Sequence, residues 1–155
     1  VTIQPGTYDH KEAQIVFHTN KAAPLSFSIR NYIGGRFGGD RKSIQPTITY
    51  RFGENFTSEF SVKHNNYDLP VGSFVTNLTK LRLSYSFTPK MLLQALVQHN
   101  SGDDTVSTNF RFSWLQTATS GLYIIYNEFD DSSFGALPKS KEFSIKYSYM
   151  FDALK

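Results

Sequence analysis

The chain has no cysteine among its 155 residues, which excludes a disulfide framework and a thiolate metal site. It also has no apolar run approaching the roughly 20 residues a helix needs to cross a bilayer, so a transmembrane helix is excluded. No segment keeps a helical period over a useful length. Charge of one sign is scarce: 16 Lys and Arg face 13 Asp and Glu, a net charge of +3. No basic block is long enough to suggest a nucleic-acid partner. The opening VTIQPGTYDH lacks a signal-peptide pattern, so a mature chain or a fragment is expected. The length suits one domain over residues 1–155, and no linker or low-complexity stretch divides it.

What is present is alternation. Aromatic residues make up 15% of the chain, yet its mean hydropathy is only −0.35. In TVSTNFRFSWL (105–115), Val106, Phe110, Phe112 and Trp114 share one parity with Thr108, while Ser107, Asn109, Arg111 and Ser113 take the other. Side chains alternate across a strand, so such a segment has one oily and one polar face. The pattern recurs at 43–52, 80–87 and 142–151. Taken in order, strands are predicted at 10–19, 25–33, 43–52, 56–65, 74–87, 91–100, 105–115, 121–129 and 141–151, joined as sequential hairpins. Residues 34–42 (GGRFGGDRK), 66–73, 101–104 and 130–141 are expected to be loops, with shorter turns at 20–24, 53–55, 88–90 and 116–120. Pro46 inside a strand predicts an edge or a bulge. The segment 121–129 is apolar on both parities and reads poorly.

Alternation alone does not say which face points inward. A soluble barrel turns the oily face in, and a membrane barrel turns it out. Three features favour the second. Connections read as alternately short and long, as in outer-membrane barrels. Tyr50/Phe52, Tyr85/Phe87, Phe112/Trp114 and Tyr149/Phe151 close strands on the short-turn side, which predicts an aromatic girdle. The polar parity carries Arg30, Arg51, Glu59, Lys63, Lys80, Arg82, Arg111 and Lys146 among hydroxyls, which suits a wet, net-basic lumen with paired Arg and Glu. The expected fold is therefore an all-β, antiparallel transmembrane barrel of about nine up-and-down strands. The alternative is a soluble sandwich or barrel with that polar face solvated.

NYDLPVGSF (66–74), LRLSYSFTP (81–89), LQALVQHNS (93–101), DTVSTNFRFSW (104–114) and LYIIYNE (122–128) together carry a resemblance. They are similar to the C-terminal barrel domain, of unknown function, of large bacterial envelope proteins that often have an N-terminal family-9-like carbohydrate-binding module. The closing KYSYMF also resembles an outer-membrane insertion signal, with 152–155 departing from a terminal Phe. The resemblance implies a bacterial outer-membrane location and a piece of a longer chain. Sugar binding is not implied, since no such module is present. An odd count of nine strands agrees, because single-chain bacterial barrels have even counts.

Catalytic chemistry is sparse. His99 and Ser101 lie two residues apart on the oily parity near a strand end, an arrangement similar to outer-membrane phospholipases, but no orienting third group is evident. Asp103, Asp104, Asp130 and Asp131 are loop acids that would suit an oxygen-ligated cation, though solvated acids explain them as well. Gly34, Gly35, Gly38 and Gly39 lack the Lys-Ser/Thr of a phosphate loop. His10, His18, His64 and His99 have no metal-ligand spacing. No enzyme activity, cofactor or metal is expected. The expected function is a porin-like, passive transport barrel of the Gram-negative envelope. The alternative is a non-conducting scaffold or anchor that docks a partner, and an outer-membrane lipid hydrolase is disfavoured. Expected partners are outer-membrane lipid and lipopolysaccharide, together with other envelope proteins or a missing N-terminal part of the same chain.

Overall fold

The computed structural model describes residues 5–117, 120–131 and 140–150. Among them the chain forms nine strands and no helix: β1 (Glu12–His18), β2 (Leu25–Arg36), β3 (Gly39–Phe52), β4 (Phe56–Leu69), β5 (Gly72–Thr88), β6 (Met91–Asn100), β7 (Thr105–Leu115), β8 (Gly121–Asp131) and β9 (Ser140–Ser148). They form a single antiparallel sheet in sequence order, an up-and-down meander. Among the described residues β1 and β9 are not paired with each other, so the sheet has two open edges.

Each predicted strand is present, but several boundaries differ. The expected loop at 34–42 is mostly ladder: Gly34 pairs with Arg41, Gly35 with Asp40, and only Phe37 and Gly38 turn. Both turn residues have positive φ, 51° and 79°, the combination that suits the twist of a two-residue hairpin. Residues 66–73 likewise pair, Asn66 with Val75 and Asp68 with Ser73, leaving Pro70 and Val71 as the turn. These two connections are among the shortest in the sheet, so the alternation of short and long loops does not hold. The reason is physical. At this end apolar residues such as Leu69 and Phe74 are scattered among Gly, Asn and Asp, so the hydrophobic period fades, but backbone pairing needs no such period.

Pro46 also departs from expectation, because its strand is interior, between β2 and β4. It pairs with Ile29 on one side; on the other, pairing lapses between Ile44–His64 and Thr47–Ser61 without a change of register. The missing donor interrupts one ladder locally instead of ending it. A bulge does occur on β5, where register shifts between Ser86 and Thr88.

Among the described residues no layer packs on the sheet. The one buried hydrophobic side chain among the described residues is Leu69, 6% exposed. The accessible surface is 11075 Å², against about 7,900 Å² for a compact monomer of this mass. Buried Ser26, Arg41, Ser43, Ser61 and Asn65 all lie on the polar parity, while Phe110 (43% exposed) and Ile145 (62%) stand open on the oily one. Side chains inside a curve shield one another, so the polar face is the concave one.

Candidate functional site

The register places Arg30, Arg51, Glu59, Lys63, Lys80, Arg82, Arg111 and Lys146 on one face, the concave one. It does not bring them together as ion pairs. Glu59 and Arg82 are direct cross-strand partners without a salt bridge between them. The Arg51 guanidinium donates to the Lys21 carbonyl and so closes the β1–β2 turn onto β3. The expected Arg–Glu pairing is made by other residues: Arg41 Nη2 lies 2.8 Å from Glu12 Oε1, with the Arg41 guanidinium 5.1 Å from the Tyr32 ring centroid. Sequence reasoning missed Arg41 because it lay in the supposed glycine loop. Carrying the odd parity of Ser43, Gln45 and Thr47 back two residues would have found it.

Three shallow clefts open on the concave face. One is lined by His18, Lys21, Ser28, Arg30, Gln45 and Thr47. A second is lined by Ser26, Thr49, Arg51, Thr57 and Glu59 among others, and a third by Arg82, Gln94, Leu96, Asn109 and Arg111. Their linings mix polar groups with a few apolar ones, Val16 and Ile29 in the first and Ala95 and Leu96 in the third, and none has the apolar walls that enclose a drug-sized ligand. Between β7 and β9 the face is tied by amides: Asn109 Nδ2 donates to Asn127 Oδ1, and Asn127 Nδ2 donates to Glu142 Oε2 at 3.4 Å.

The convex face divides into two zones. From the 53–55, 89–90 and 116–120 turns inward, it is uncharged. Its residues are Ile44 to Phe52 on β3, Phe56 to Val62 on β4, Leu81 to Tyr85 on β5, Met91 to Val97 on β6, Val106 to Trp114 on β7, Leu122 to Tyr126 on β8 and Phe143 to Tyr147 on β9, taken at alternate positions. On β3 and β7 this belt is nine residues long, within the roughly 9–11 that a tilted strand needs to cross a bilayer. Phe52, Phe56, Tyr85 and Phe112 share one row at its lower border, and Trp114 lies in the next row beside Met91 and Leu122. Tyr50 is one step above, Phe87 packs edge-on to Tyr85 at 4.8 Å, and Tyr149 follows β9. Phe151 lies outside the described residues.

Beyond the belt, charge returns as a rim that sequence reasoning did not single out. Lys42, His64, His99, Glu128 and Lys141 occupy the first positions past the apolar residues of their strands, and on β5 the polar Thr79 and Asn77 follow Leu81. Most are partnered: His64 Nδ1 and Asn77 Oδ1 are 2.6 Å apart, Lys141 Nζ lies 3.3 Å from Glu128 Oε1, and the Tyr126 hydroxyl donates to Glu128 Oε2 at 2.9 Å. The same parity read past Val62 and Val97 would have shown it.

The other sequence candidates separate. His99 Nε2 lies 3.5 Å from Asp104 Oδ1, while Ser101 Oγ accepts the Asn77 N–H at 2.9 Å and fastens the β6–β7 turn to β5. The serine is thus engaged with backbone, not with the imidazole. No group of three or more metal-ligating side chains gathers among the described residues. No protein-family model and no curated protein matches the chain.

Proposed function

We propose that this chain forms a wall of a bacterial outer-membrane β-barrel, its belt against lipid and its basic concave face toward a passive aqueous passage. The single observation that supports this is the belt itself: an uncharged, aromatic-bordered apolar surface on which, among the described residues, nothing packs. Burying a large apolar side chain is worth about 1.5–3 kcal/mol, so the belt left in water forgoes tens of kcal/mol, on the order of several times a domain's net stability. Hydrocarbon supplies that burial without a second protein layer. The rim then meets lipopolysaccharide headgroups, and the row of aromatics meets the opposite interface. The family resemblance supports the same assignment, in which the domain serves as the membrane part of a longer envelope protein.

A second reading, a non-conducting anchor, draws on the open edges. β1 and β9 run in the same direction, so pairing them directly would be parallel; antiparallel closure takes an odd number of further strands. Strands from a partner or from more of the same polypeptide would complete the wall.

The test is planar-bilayer recording with the chain inserted together with the strands, its own or a partner's, that close the sheet. The expected result is stepwise conductance favouring anions, since basic groups outnumber acids on the concave face. Liposome-inserted, protease-protected protein that never conducts would favour the anchor. Protein that stays soluble and monomeric without amphiphile would overturn both.

A further inference from the structure

Of the basic side chains on the concave face, Arg41 is committed to Glu12 and Arg51 to the Lys21 carbonyl. Arg82 and Arg111 are not committed: neither guanidinium has an ion-pair or hydrogen-bond partner among the described residues, and both are exposed. They flank the same strand. Arg82 on β5 stands opposite Leu96 of β6, and Arg111 on β7 stands opposite Gln94, one step along the same face. The two strands are about 10 Å apart, twice the strand spacing, and both side chains line one cleft with Gln94 and Asn109. No carboxylate lines that cleft; Glu59, the cross-strand partner of Arg82 on β4, lines the neighbouring cleft around Arg51 and makes no ion pair with Arg82. Leu96 at its floor offers no counter-charge.

We propose that this cleft is a binding site for a small phosphate-type dianion, inorganic phosphate or a phosphorylated solute. Two guanidinium forks provide the charge and the planar donor geometry that phosphate oxygens match in pairs. The Gln94 amide adds neutral donors, and Asn109 keeps one amide hydrogen beyond the one it gives to Asn127. Two positive charges favour a dianion over a monoanionic carboxylate. The placement of the site inside a passage rests on the reading above, but the binding itself does not.

The test is calorimetric titration of inorganic phosphate into the full chain folded in detergent at low ionic strength. Arg82→Gln and Arg111→Gln are each expected to weaken binding by about tenfold or more. Lys63→Gln, which removes one positive charge from the same face outside the cleft, is expected to change it by less than about twofold. Acetate is expected to bind more weakly than phosphate. Absence of phosphate binding in protein with intact sheet circular dichroism overturns the proposal. So does an equal loss in Lys63→Gln, which would reveal a diffuse basic surface only. Binding with the expected variant pattern but without conductance sinks the pore and leaves the site. Conductance with unchanged binding in the Arg82→Gln/Arg111→Gln double variant sinks the site alone.

Discussion

The Glu12–Arg41 pair shows how unequal two halves of an ion pair can be. Arg41 is nearly enclosed, its side chain 10% exposed and its Nε without a partner, while Glu12 is 21% exposed. Removing the carboxylate strands a buried cation; removing the guanidinium leaves a carboxylate that water can reach. Glu12→Ala should therefore cost more than Arg41→Met, by about 1–2 kcal/mol, in urea unfolding of the lipid-inserted protein. Equal losses would contradict the argument. On the other face, Ile145→Arg should destabilise the inserted sheet by about 2–4 kcal/mol, while Ser144→Asn, one residue away on the concave face, should be close to neutral. A soluble barrel would reverse that order. Residue-level parity was legible because side chains must alternate once a strand forms: all of the predicted polar-face charges share a face. Sequence reading passes over Arg41 because Gly34, Gly35, Gly38 and Gly39 just before it suggest a loop, although the parity of Ser43 and Gln45 extends to it.

At the scale of the element, those glycines sit where backbones crowd. A Cβ on Gly34 would lie 2.2 Å from the Lys11 carbonyl oxygen and 2.6 Å from Glu12 Cα; one on Gly39 would lie 2.2 Å from the Asp68 carbonyl oxygen. Neither neighbour is a flexible side-chain tip. Gly34→Val should thus loosen β1 from β2 while leaving β4–β5 intact, read as lost amide hydrogen-exchange protection at residues 13–17 only. Uniform loss across the sheet, or none, would be inconsistent with a local clash. Strand existence could be read wherever a hydrophobic period ran, and strand ends could not. The ladders of β2–β5 continue past the belt through Asn65, Asn66 and Asp68, where apolar residues no longer alternate with polar ones and composition resembles a loop.

At the scale of the whole molecule, the described residues form one sheet, and on the reading proposed above its stability would come from the lipid around it. Its two edges present unpaired backbone groups, and exposed Ile15, Phe17, Phe143 and Ile145 stand on the edge strands. Without amphiphile such edges recruit other chains, so dilution from urea into buffer should give aggregates and dilution into detergent micelles should give folded sheet. Trp114, the sole tryptophan, offers a depth gauge. It sits in the belt's lowest rows beside the β7–β8 turn, so brominated lipids labelled near the headgroup should quench it more than lipids labelled near the chain end. Stronger quenching from the bilayer centre would misplace the belt.

The hairpins are of unequal reach. β4 and β5 continue from His64 to a turn at Pro70–Val71, whereas β6 turns within a few residues of His99. If the chain is the membrane wall proposed above, seen from outside the cell it would be a parapet, high along β2–β5 and low along β6–β7. Antibodies, phage or proteases arriving there would touch Phe37 and Val71 long before they reached Gly102.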